Sequence, residues 1–134
     1  MNLIDHKTNP ANDELDIDVL DEPHSSGAHH AYSISGFDLS TNESALDDDG
    51  DMIAAFDRCI IVFQDGPTKE VGINGITHEA LLAILIHRLQ CFQNGPYACS
   101  HNLDSVSHCQ EALKSLKART ADREERGVEG THAL

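Results

Sequence analysis

The chain has 134 residues, 23 Asp plus Glu against 9 Lys plus Arg, and a formal net charge of −14. That length predicts one domain with a modest core, and that charge excludes general binding to a nucleic-acid polymer, which needs a basic surface. The acidity is uneven: residues 1–57 hold 14 acids and one base, Lys7, whereas residues 58–134 hold 9 acids and 8 bases. A small anionic ligand in a local basic pocket therefore stays open, because nearby charges outweigh screened distant ones.

Residues 1–50 read as an acidic N-terminal arm, 51–76 as a β-hairpin region, and 77–134 as a helical hairpin with a C-terminal tail. "NPANDELDIDVLDEPHSSG" is rich in Asp, Asn, Pro and Ser, so it suits either disorder or an edge strand through Leu15, Ile17, Val19 and Leu20. "HHAYSISGFDLS" predicts a strand. "DDDGD" invites an EF-hand reading that fails on spacing: with Gly50 sixth, Ala45 and Phe56 would hold the first and twelfth positions. A solvated acidic loop is the better reading. "RCIIVFQDGPTKEVGING" predicts a β-hairpin, with "TKEVGI" as the returning strand.

Thr77 is placed to cap a helix over "HEALLAILIHRLQCFQ", whose Leu81, Leu82, Leu85, Ile86 and Leu89 recur at helical spacing. "NGP" ends it in a short turn. A second helix follows, with Leu103, Val106, Cys109, Leu113 and Leu116 as its stripe and Gly127 as its stop. The expected fold class is α+β: a small antiparallel β-sheet or hairpin followed by a long antiparallel two-helix hairpin, in an oligomer.

Arg119, Arg123 and Arg126 fall roughly where the buried stripe of the last helix would continue. Guanidinium groups there call for anionic partners, and their forked donors suit phosphate. Spacing alone favours a solvated helix end pairing with Asp122, Glu124, Glu125 or Glu129, since charge runs are usually solvated faces. Phe92 could stack on a purine and Asn102 could read a polar edge, although a core Phe92 and an N-capping Asn102 are the simpler readings. No pair among the nine histidines reproduces a metal-site spacing, and His29–His30 as neighbours chelate one ion poorly, so neither a metal nor a cofactor is expected. There is no GxSxG, no reactive-cysteine motif and no obvious carboxylate dyad, so no catalytic residue is assigned. The four cysteines form no CxxC pair, no N-terminal signal pattern is present, and "ALLAILI" is too short to span a bilayer; a reducing cytoplasm and no membrane partner are expected.

The motifs "FQxGPxxEVGxNGxTxEALLAI", "RLxxFQ", "GPYAC…HN" and "RTxxRxxRGVEGTH", spread over residues 58–132, resemble the phage Thoeris anti-defence (Tad, type one) sponges, whose helical hairpin is shared with anti-CBASS sponges. The resemblance implies a protein that is not an enzyme. It would sequester a nucleotide messenger, a cyclic ADP-ribose isomer, in the cytoplasm of the infected bacterial host. It further implies a pocket at a dimer interface, assembly toward a hexamer, and cyclic di- or trinucleotides at separate sites. By motif, Phe92 would stack on adenine, Asn102 would hydrogen-bond the ligand, and Arg119 and Arg123 would hold the pyrophosphate, with Arg126 and Thr131 as further contributors. Apart from the motifs, Arg58 and Lys69 are basic residues near the hairpin that could line a second nucleotide site, although as solvated strand charges they need no such role. The acidic first half, outside the resemblance, keeps open an alternative: a protein-interaction or DNA-mimic module with no small-molecule ligand.

Overall fold

The computed structural model describes residues 1–134, in two compact units, Met1–Phe63 and Gln64–Leu134. In the first, four strands form an antiparallel sheet in chain order: β1 (Asn2–Leu3), β2 (Asp16–Val19), β3 (Ala31–Ser35) and β4 (Arg58–Val62). A single helical turn, α1 (Pro10–Asp13), separates the first two strands; the Asn9 side chain caps it and Pro10 opens it.

The segment expected as a loose arm or edge strand is thus an inner strand. Asp16–Val19 alternates exposed Asp with half-buried Ile17 and Val19. Ile17 pairs with Leu3 on one side and Ile34 on the other. Period-two alternation places both apolar residues on one face, so four residues suffice to hold register. The strand predicted around Tyr32 and Ile34 is present as β3, and Tyr32 meets Phe63 edge-to-face with ring centroids 5.8 Å apart. Between β3 and β4, Leu39–Thr41 and Glu43–Ala45 are 3₁₀ turns. The acidic loop needs no ion: Asp47 Oδ1 accepts the Asp49 and Asp51 backbone N–H groups, both at 2.9 Å.

The returning strand expected at "TKEVGI" is a correction. Thr68–Val71 forms a helical turn, α2, entered through Pro67 at φ −68°. Two side chains close the loop instead of a ladder: Gln64 donates to the Gly72 carbonyl at 2.8 Å, and Asn74 donates to the Asp65 carbonyl at 2.8 Å. Asn74 Oδ1 in turn accepts the Asp65 N–H at 2.9 Å. These side-chain bonds satisfy backbone groups that a second strand would have paired, so no ladder is required.

The second unit is built on the helices α3 (His78–Gln93) and α4 (Ser100–Glu125), which form the expected hairpin. Thr77 caps α3, its hydroxyl accepting the Ala80 N–H at 3.1 Å. The cap of α4 is Cys99, whose Sγ accepts the Asn102 N–H at 3.4 Å, so Asn102 is not the cap. Ile86 and Val106 are the buried centres of the two helices. On α3 the covered positions run 79, 82, 86, 89, 93, with Leu81 also partly covered beside them and Leu85 outside; on α4 they run 102, 106, 109, 113, 116, 120, 123, leaving Leu103 outside. These are alternating steps of three and four, the signature of one packed helix face. No helix is long and apolar enough to cross a membrane.

Candidate functional site

The end of α4 is organised by its own sequence. Gly127, at φ +72°, takes the left-handed position that ends the helix. Its N–H donates to the Glu124 carbonyl at 3.0 Å and the Val128 N–H to the Arg123 carbonyl at 2.9 Å, a Schellman ending. The chain then folds back over the last turn of the helix.

That reversal separates the three arginines. The buried stripe continues through Thr120 and Arg123, not through Arg119. Arg123 is 12% exposed and its guanidinium is taken up by the tail: Nε meets Glu129 at 3.0 Å, Nη1 donates to the Ala133 carbonyl at 2.7 Å, and Nη2 donates to the carbonyls of Val128 at 3.0 Å and Thr131 at 3.2 Å. Arg126 is more open, paired with Asp122 at 3.1 Å and donating to the Leu134 carbonyl at 3.0 Å. Arg119 is exposed and engaged in no ion pair or side-chain hydrogen bond. The Thr131 hydroxyl donates to the Val128 carbonyl and accepts the Ala133 N–H at 3.3 Å, so it too belongs to the tail's own turn.

The tail is docked as well. The Lys69 N–H donates to the Gly130 carbonyl at 3.2 Å, and His132 meets Glu70 at 3.1 Å. Thr68, Lys69, Glu124, Gly127 and Glu129 line a shallow hollow of about 310 Å³. With two carboxylates and one ammonium on its wall, this hollow has the wrong charge balance for an anion.

At the other end of the hairpin, Phe92 lies in the last turn of α3 and Asn102 in the first turn of α4. The Arg88 guanidinium sits over the Phe92 ring, 5.1 Å from its centroid. An arginine stacked this way presents a cationic plane beside an aromatic face, a pairing suited to a nucleotide. Arg88 was not singled out from sequence, although its place four residues before Phe92 sets both on one side of α3.

The distance between the two groups is decisive. From Asn102 to Arg119 is 17 residues of continuous helix, about 26 Å at 1.5 Å per residue. The hairpin therefore places Phe92 and Asn102 at its turn end and Arg119, Arg123, Arg126 and Thr131 at the opposite end, with the three arginine side chains turned to different surroundings. Arg58 lies in the first compact unit and Lys69 in the second.

Comparison with known proteins bears out the resemblance. Over 70 residues, 52% of its length, the chain is 51% identical to Thoeris anti-defense 1 from Bacillus phage SBSphiJ7. The match covers 49% of that relative, so the chain spans about half the length of the curated protein it matches. No protein-family model matches the chain.

Proposed function

We propose that this protein counteracts Thoeris defence as a sponge, binding a cyclic ADP-ribose-type messenger in the infected cell's cytoplasm and releasing it unchanged. The observation that carries this reading is the 51% identity, over half of the chain, to a protein named for anti-Thoeris activity. The geometry supports it. Phe92 with Arg88 offers a stacking face for a purine, and Arg119 offers an uncommitted guanidinium for a pyrophosphate.

Because Phe92 lies at the turn end of the hairpin with Asn102, and Arg119 is 17 residues of α4, about 26 Å, from Asn102, one chain cannot close both around a small nucleotide. A second copy laid antiparallel would bring its arginine end to the first copy's Phe92 end. Ile84, Leu85 and Leu103 remain exposed on the hairpin, as expected of a surface that packs against another copy. Two symmetry-related pockets per dimer follow, each dry enough to strengthen an arginine–phosphate contact. Higher assembly, to a hexamer, and cyclic di- or trinucleotide sites near Arg58 or Lys69 would add to this without altering it.

The test is calorimetric titration with cyclic ADP-ribose isomers, alongside cyclic di- and trinucleotides, followed by denaturation of the complex and mass spectrometry of the ligand. Tight binding with intact ligand recovered is the expected result. A hydrolysed product would make the protein an enzyme. No binding of any member of the panel, with a basic host protein captured by residues 1–50, would favour the interaction-module reading that the acidic first half motivates.

A further inference from the structure

The turn joining β2 to β3 gathers ligating side chains that no pairwise spacing announces. Leu20 donates its N–H to the Ala31 carbonyl at 2.9 Å, and the chain between them folds back on itself through His24 and Ala28 at 3.1 Å. This brings one oxygen of Asp21, one ring nitrogen of His24 and one of His30 within 4.8 Å of one another. Asp21 Oδ2 lies 3.9 Å from His24 Nε2 and 3.6 Å from His30 Nδ1.

Those separations are longer than hydrogen bonds. They approach the spacing of ligands sharing one ion: bonds of about 2.0–2.1 Å in a tetrahedral site set neighbouring ligand atoms about 3.3–3.5 Å apart. The two Asp21–histidine separations exceed that spacing by a few tenths of an ångström, and a rotation of the half-exposed His24 side chain would draw the three ligand atoms, now within 4.8 Å of one another, onto one ion. The supporting shell is already built. The Asp21 carboxylate accepts the His30 N–H at 2.9 Å and the Ala31 N–H at 3.1 Å, which fix its orientation as outer partners fix metal-bound carboxylates. The His24 and His30 rings lie 4.6 Å apart at 34° to each other. His30 is largely covered and His24 half-exposed, leaving one approach from solvent. His29 is otherwise occupied, its Nδ1 donating to the Asp21 carbonyl at 2.6 Å. The acidic surroundings, with 14 acids and one base in residues 1–57, raise the local cation concentration.

We propose that Asp21, His24 and His30 form a binding site for a divalent transition-metal ion, zinc being the ordinary occupant for two imidazoles and one carboxylate. The ion would pin the β2–β3 turn, and with three protein ligands it would keep a position for water. The site lies in the first compact unit, outside the helical hairpin, and does not depend on the messenger-binding reading.

The experiment titrates the full chain, first stripped with chelator, with Zn²⁺ by calorimetry and with Co²⁺ by visible spectroscopy. His87 and Cys91 lie 3.8 Å apart on α3 and form a competing pair, so Cys91→Ser is run beside the wild type. Wild type and Cys91→Ser should each bind one equivalent, with a cobalt spectrum lacking thiolate charge transfer. His24→Ala should weaken binding at least tenfold, since even outer-shell losses cost 10–100-fold. Zn²⁺ should raise the melting temperature of wild type and not of His24→Ala. Equal affinity in wild type and His24→Ala, a thiolate band abolished by Cys91→Ser, or no binding by wild type would each overturn the proposal.

Discussion

Replacing Arg123 with alanine removes the side chain that makes most of the bonds tying the C-terminal tail to the helix. Four contacts are lost at once, to Glu129, Val128, Thr131 and Ala133, from a guanidinium only 12% exposed. A hydrogen bond to a charged group contributes about 1.5–3 kcal/mol net. Four on one short tail are not additive, and the freed carbonyls can turn to water, so the loss is about 2–4 kcal/mol of docking free energy. The effect should be local. Hydrogen exchange at the Thr131 and Lys69 amides, which donate within the tail and from α2 to the tail, should accelerate about 30-fold or more. Amides inside α3 should be unaffected. Arg123→Lys should rescue little, because a point charge cannot replace a fork. Unchanged protection at Thr131 and Lys69 in Arg123→Ala would refute the clamp. A loss of ligand binding in that variant would follow from tail release alone, so Arg119, which holds nothing else, is the cleaner probe of anion recognition.

Other consequences follow from single residues. Gly130→Ala should destabilise the tail by about 1–2 kcal/mol, read as a lower melting temperature, because φ is +77°. Its added Cβ would also fall 2.7 Å from Thr68 Oγ1. Thr77→Ala should cost about 1 kcal/mol by removing the α3 cap, measured by denaturant unfolding. The backbone N–H of Ser40, at 2.8 Å, and then its hydroxyl hold the Asp38 carboxyl below its ordinary value of 3.8. A depressed folded pKa stabilises the fold above the unfolded value and is lost as pH falls through the folded one. Wild type should therefore lose stability on acidification below about pH 4 relative to Asp38→Ala, and parallel acid-unfolding curves would contradict this.

Much of the second unit was legible because helix signals are local. Thr77 before an apolar repeat, "NGP" at the turn and Gly127 after the last periodic residue each act within a few residues. The first unit was harder to read. β2 spends half its four residues on Asp, and its evidence of burial is pairing with Leu3 and Ile34, which are far away in sequence. "TKEV" carries strand-like residues, but Pro67 and the side chains of Gln64 and Asn74 decide its conformation. The arginine row was visible as spacing, yet a helix step of three or four chooses between 119 and 120, and the packed face takes Thr120. That one choice sends Arg119 to solvent and Arg123 to the tail. The Asp21, His24 and His30 cluster has no periodic signature, because the folding of a ten-residue turn brings the three side chains together.

The central claim is that the stacking end of one chain and the arginine end of another build one pocket, and subunit mixing tests it most directly. Phe92→Ala and Arg119→Ala should each fail to bind the cyclic ADP-ribose isomer alone. Unfolded together and refolded as a mixture, they should recover about a quarter of the wild-type sites, since half of the dimers are mixed and each holds one intact pocket. A mixture that binds no more than either variant, although mixed dimers form, would contradict a pocket shared between two chains.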